Sequence, residues 1–157
     1  MIINEVERNG AHMSNIGTCE TCAHQFSYDL LHNGFNESAY AYCDHCGCTA
    51  LIDAWTSHPA EAPIKFHQAI GREVEPFLNN CSCGGHFRAG AAPRCSNCNT
   101  SLAADAAASY IEGNAPGTAK GWRWQGNWTG LYCIVVDGRV VRDPWRPDFL
   151  PDATAAK

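Results

Sequence analysis

The sequence predicts an α+β protein: two small cysteine-knuckled ribbons, a connecting helical segment and a C-terminal three-stranded antiparallel meander. Three observations predict it. Eight of the ten cysteines stand in four close pairs, Cys19/Cys22, Cys43/Cys46, Cys81/Cys83 and Cys95/Cys98. Apolar Phe66, Ile70, Val74 and Phe77 follow one another at spacings of four, four and three, a helical period. Asp137-Gly138 parts two β-branched runs, the strongest short-range signal for a hairpin.

Each cysteine pair lets two sulfurs converge on one ion, and tetrahedral zinc takes four ligands at about 2.3 Å. Taken in chain order, Cys19, Cys22, Cys43 and Cys46 fit the C-x2-C-x15–20-C-x2-C template of a metal site. Cys81, Cys83, Cys95 and Cys98 form a second group, in which Gly84-Gly85 gives the tighter C-x-C turn its backbone freedom. Disulfides are the competing assignment. They belong to oxidising compartments and usually to short secreted chains, and this sequence carries neither mark.

At 157 residues the chain is one ordinary domain or two small ones. A ribbon of about forty residues buries little core, so metal is expected to replace missing hydrophobic area. There is no run of eighteen apolar residues, and residues 1–8 lack the apolar stretch of a signal peptide. A cytoplasmic setting is therefore expected, with the thiols kept reduced. Charge is uneven. Residues 1–80 carry three basic against ten acidic side chains, and residues 81–157 eight against six. Tight non-specific nucleic-acid binding normally shows a basic surplus, and the total of −5 points the other way.

In order, residues 1–15 are a leader kept out of the fold. Gly10-Ala11-His12-Met13 reads either as native chain or as a remnant of cloning. Residues 16–56 form the first ribbon, with strands predicted at Gln25–Tyr28, Ala39–Tyr42 and Leu51–Trp55. Residues 57–78 are a Pro-rich linker and the helical segment, broken or started near Gly71 and Pro76. The second ribbon and an Ala-rich helix that stops at Gly113 fill residues 79–113. Residues 114–157 hold the meander, with strands at 121–125, 130–136 and 139–142, and a Pro-rich tail.

The knuckles and their strands resemble a tandem double zinc ribbon, and Cys43-Asp44-His45-Cys46-Gly47 is similar to a rubredoxin-type knuckle. The resemblance covers about half the chain. It implies a fold and two structural Zn²⁺ ions, with iron the alternative for a tetrathiolate, and it implies no activity.

Cys48, two residues past Cys46, is either a substitute ligand or a neighbour of the site; Cys133, mid-strand, reads as a buried thiol. His24, His45 and His86 flank knuckles whose sulfur complement is already full. No catalytic residue is assigned, because no known nucleophile, phosphate-loop or metalloprotease pattern occurs. Trp122, Trp124 and Trp128 beside Lys120, Arg123, Arg139, Arg142 and Arg146 are either the core of the meander or a binding face. The expected role is a structural-zinc module that binds a protein partner. Single-stranded nucleic-acid binding through the Trp/Arg sheet is the runner-up, and an enzyme with an unrecognised site the third reading.

Overall fold

A computed structural model describes residues 15–32, 37–102 and 132–150. Their backbone forms seven strands in two sheets: β1 Asn15–Thr18, β2 Gln25–His32, β3 Ser38–Cys43, β4 Thr49–Asp53, β5 Phe87–Arg88, β6 Tyr132–Val136 and β7 Val140–Arg142. The first sheet runs β1-β2-β6 and the second β5-β3-β4-β7. All neighbours are antiparallel except β4 and β7, which are parallel.

The alternation in β3 explains the layering. Tyr40 and Tyr42, with Leu51 of β4, face the first sheet and pack with Phe26, Tyr28, Ile134 and Val136. Ala39 and Ala41, with Ala50 and Ile52, face the opposite side, under Ile70, Val74, Leu78 and Trp145. Strands β3 and β4 are thus buried on both faces, and the alanines leave room for the covering segment to approach. All six residues of β3 are buried accordingly.

Two parts of the expected α+β architecture are corrected. The described residues contain no α-helix; their helical turns are 3-10, Arg72–Phe77 and Pro147–Phe149. In the expected helical segment, Pro63, Gly71 and Pro76 punctuate the chain and His67 takes a left-handed φ of 71°. A 3.6-residue ladder is therefore never built. The apolar periodicity was a covering layer: Ile70 and Val74 are buried on the alanine face of β3 and β4, and Phe66 and Phe77 pack partly against it.

Nor do the described strands form a meander. Asp137 and Gly138 have φ of 51° and 65°, the backbone of a hairpin turn, closed by Arg139 N–H donating to the Val136 carbonyl at 3.1 Å. Yet β6 pairs with β2, and β7 pairs with β4. The Asp137 carboxylate accepts from Ser27 N–H at 2.9 Å and from its hydroxyl at 3.2 Å, fixing the end of β6 to β2. The turn then hands the chain from one sheet to the other.

The outer edge of β6 is closed by side chains of the second sheet. Ile134 N–H donates to the Tyr42 hydroxyl at 3.0 Å, and Thr49 Oγ1 donates to the Ile134 carbonyl at 3.3 Å. The expected Ala-rich helix at 103–112 and Trp122, Trp124, Trp128, Lys120 and Arg123 lie outside the described residues. No helix among the described residues is long and apolar enough to cross a membrane.

Candidate metal centres

Three knuckles share one backbone frame. In each, the amide of the first cysteine donates to the carbonyl five residues on, and its carbonyl accepts from the amide four residues on. These bonds are Cys19 N to His24 O and Ala23 N to Cys19 O, at 2.9 and 2.8 Å. They are Cys43 N to Cys48 O and Gly47 N to Cys43 O, at 2.8 and 3.0 Å, and Cys95 N to Thr100 O and Asn99 N to Cys95 O, at 2.9 and 3.0 Å. The residue after the second cysteine must then turn left-handed: Ala23 at φ 59°, Gly47 at 73° and Asn99 at 59°. The fourth knuckle is one residue tighter. Cys81 N donates to Gly85 O, and Gly84, at φ 90°, donates to Cys81 O.

These frames bring all eight expected ligand cysteines into two groups, with a pairing that differs from the expected one. Cys19 and Cys22 meet Cys95 and Cys98, while Cys43 and Cys46 meet Cys81 and Cys83. The second group is nested inside the first along the chain. The cause is strand pairing. A ribbon made of the first two knuckles needs β2 beside β3, but these strands belong to different sheets. Strand β3 instead pairs with β5, and Asp44 N–H donates to His86 O at 2.8 Å while Asp44 Oδ1 accepts from His86 N–H at 2.8 Å. That clamp holds the Cys43 knuckle against the Cys81 knuckle.

The geometry suits a tetrahedral ion. Sulfurs lie 3.7 Å apart for Cys19–Cys98, 3.8 Å for Cys22–Cys95, and 3.6 Å for both Cys43–Cys83 and Cys46–Cys81. A tetrahedron with metal–sulfur bonds of about 2.3 Å has an edge of about 3.8 Å. Within each group all four sulfurs fall within 4.8 Å of one another. Two such groups can hold two metal ions, and none of the ten cysteines is in a disulfide.

Donors around the sulfurs favour thiolates. Backbone amides of His45, Cys48 and Gly85 point at Cys43, Cys46 and Cys83 Sγ, each at 3.4 Å. Asn97 Nδ2 donates to Cys22 Sγ at 3.5 Å and holds that thiol below its ordinary range. Burial pushes Cys43 up to about 12, and Cys46 and Cys95 each up to about 11. The Gly85 amide brings Cys83 down to about 7, and the Thr100 hydroxyl, 3.1 Å from Cys98 Sγ, brings that thiol down to about 6.

The remaining candidates fall outside the clusters. Cys48 is buried with its Sγ 3.8 Å from the Thr49 carbonyl, and neither four-sulfur group includes it. Cys133 is buried in β6 among the tyrosines of the first core. No imidazole of His24, His45 or His86 belongs to either group; the His86 ring bonds Asn80 Oδ1 at 2.9 Å.

Arg139, which one of the two readings of the Trp/Arg sheet places on a binding face, is turned inward. Its Nη1 donates to Cys46 O at 2.7 Å and its Nη2 to Arg94 O at 2.9 Å. Sequence reading missed this role, and also the left-handed duty of Ala23 and Asn99. Asparagine after a C-x-x-C pair is a usable signal, since it tolerates that backbone region; alanine is not.

A family model described as Domain of unknown function (DUF8255) matches residues 15–104, a span that holds all eight clustered cysteines. No curated protein and no solved structure matches the chain.

Proposed function

The chain belongs to the DUF8255 family, and we propose that it is a module built on two structural zinc ions, which docks on a protein partner in the reducing cytoplasm. The observation that carries the metal reading is the pair of four-sulfur groups with 3.6–3.8 Å edges. Four cysteines complete the shell and leave no open position for a substrate or an activated water, so the metal's work is to hold the fold. Zinc is preferred to iron because it is redox-inert in a tetrathiolate. Elemental analysis of protein purified without added metal should give two zinc ions per chain and a colourless solution. A red, iron-thiolate protein would overturn the choice of zinc.

Support for docking comes from Trp55, which stands just beyond β4 with 86% of its surface exposed. Beside β4 runs β7, whose Val140 and Val141 are exposed too. Large aromatic anchors of this kind carry much of an interface's energy. Two of the arginines that a phosphate-binding reading relies on are already engaged, Arg139 on backbone carbonyls and Arg142 on Asp53 at 3.0 Å. Affinity capture with the tagged wild type and Trp55→Ala, side by side, tests the docking. The variant should keep both metals and its melting temperature, and recover a specific partner about thirtyfold less well, as loss of an anchor worth ~2 kcal/mol implies. Equal recovery would remove Trp55 from the interface.

A further inference from the structure

We propose that the two metal sites are energetically coupled, that filling one raises the affinity of the other, and that Arg139 is the positioning residue that couples them. The inference rests on the metal reading above and concerns how the two ions load.

The sites share a boundary. Cys46 belongs to the inner group and Cys95 to the outer. Their knuckles touch so closely that a side chain on Gly47 would collide with the backbone of Arg94. Arg139 spans this boundary with one rigid group. Nη1 holds the Cys46 carbonyl at 2.7 Å and Nη2 holds the Arg94 carbonyl, in the peptide unit of Cys95, at 2.9 Å. Its stem is fixed in turn, because Nε bonds the Val136 carbonyl at 3.3 Å and its own carbonyl accepts from Thr49 N–H at 3.0 Å. A planar guanidinium delivers two donors at a set angle, so ordering one carbonyl places the other donor. Asn99 adds a second tie, donating to the His45 carbonyl at 3.0 Å.

Chain entropy acts in the same direction, against a charge effect that opposes it. A loaded tetrathiolate zinc site has a net charge of about −2, so two loaded sites repel, and the fixed positive charge of the guanidinium favours each of them. Because the inner group closes the chain between Cys46 and Cys81, the outer group is left with a much shorter loop to order.

The test is a zinc titration of the reduced, metal-stripped full chain, with apo, one-zinc and two-zinc species counted by native mass spectrometry. Independent sites, equal or unequal, put half or more of the chains in the one-zinc form at half loading. Between sites of equal intrinsic affinity a tenfold coupling, within the usual range, holds that form to about a quarter. We expect about a quarter or less for the wild type and for Arg142→Ala, whose guanidinium pairs with Asp53 at the exposed edge strand. Arg139→Ala and Arg139→Lys should return the one-zinc form to about half or more while both ions still bind at higher zinc. Asn99→Ala guards against an Arg139 variant that fails to fold. It puts in the third knuckle the residue that the first already carries at the same φ of 59°, and it should raise the one-zinc form part of the way. A wild-type one-zinc fraction no lower than the two affinities measured singly, in Cys98→Ser and Cys83→Ser, predict for independent sites overturns the coupling. Coupling unchanged in Arg139→Lys and Asn99→Ala overturns the assigned route. A chain that takes up no zinc sinks the metal reading itself, an outcome distinct from both.

Discussion

Ala23 pays a strain that Gly47 avoids. Both close the same knuckle frame, at φ 59° and 73°, and a left-handed turn costs an L-residue with a Cβ about 1–2 kcal/mol. Replacing Ala23 by glycine removes that strain and returns part of it as unfolded-chain entropy. Ala23→Gly should therefore stabilise the metal-loaded protein by about 0.5–1 kcal/mol in denaturant titration. Gly47→Ala should lose more than that interval, because its new methyl meets Arg94 as well. Equal and opposite effects would show that backbone strain alone is at work. The eight cysteines were readable at this scale because metal chemistry demands short local spacings. Arg139 was not: its partners are carbonyls 93 and 45 residues away, and nothing in a string of residue types points to a carbonyl.

Among the elements, β3 was legible and its neighbours less so. Ala39-Tyr40-Ala41-Tyr42 announces a strand by alternation, and the small/large alternation proves to be the division between two cores. The segment over it announced a helix, because a covering loop that must drop Ile70, Val74 and Leu78 onto one face produces helical spacings with no helix beneath them. Asp137-Gly138 likewise foretold its turn and not the pairing of the strands that it joins. Tyr42 is the residue that binds these elements. Its hydroxyl accepts from the buried amide of Ile134, so Tyr42→Phe should cost about 1–3 kcal/mol by leaving that amide unsatisfied. Urea unfolding measures it, and hydrogen exchange at Ile134 should quicken more than elsewhere in β6. A loss under about 0.5 kcal/mol would mean that another group takes over the bond.

For the whole molecule, nesting was the feature that the sequence hid. Ligand identity is local, whereas ligand pairing depends on which strands become neighbours, and β2 and β3 part company into separate sheets. The same architecture makes the sites respond unequally to acid. Cys43 and Cys46 of the inner group are pushed up to about 12 and about 11 by burial. Both therefore carry protons at neutral pH, while the Gly85 amide brings Cys83 of the same group down to about 7, so an incoming ion must displace at least two protons. In the outer group, burial likewise raises Cys95, to about 11, but the Thr100 hydroxyl draws Cys98 down to about 6. Raised thiol pKa values favour the protonated, metal-free state, so affinity climbs with pH at both sites and more steeply at the inner one. Each displaced proton is worth about tenfold per pH unit. Chelator competition between pH 8 and 6 should show a steeper loss for the inner group, followed in Cys98→Ser and Cys83→Ser variants that isolate one site each. Equal slopes would refute the assignment.

Strand β6 completes a sheet whose other two strands, β1 and β2, end roughly a hundred residues earlier in the chain. A ribosome adding about 5–20 residues per second takes about 5–20 s to cover that distance. Throughout it, Ile134 and Val136 have not yet been made to cover the face of Tyr28, Tyr40 and Tyr42 that they bury in the folded protein. All eight clustered cysteines, by contrast, have been made once Cys98 is added. On the metal reading proposed above, ion supply during synthesis would act like a chaperone with a deadline, holding the half-built sandwich in register until its last strand is delivered.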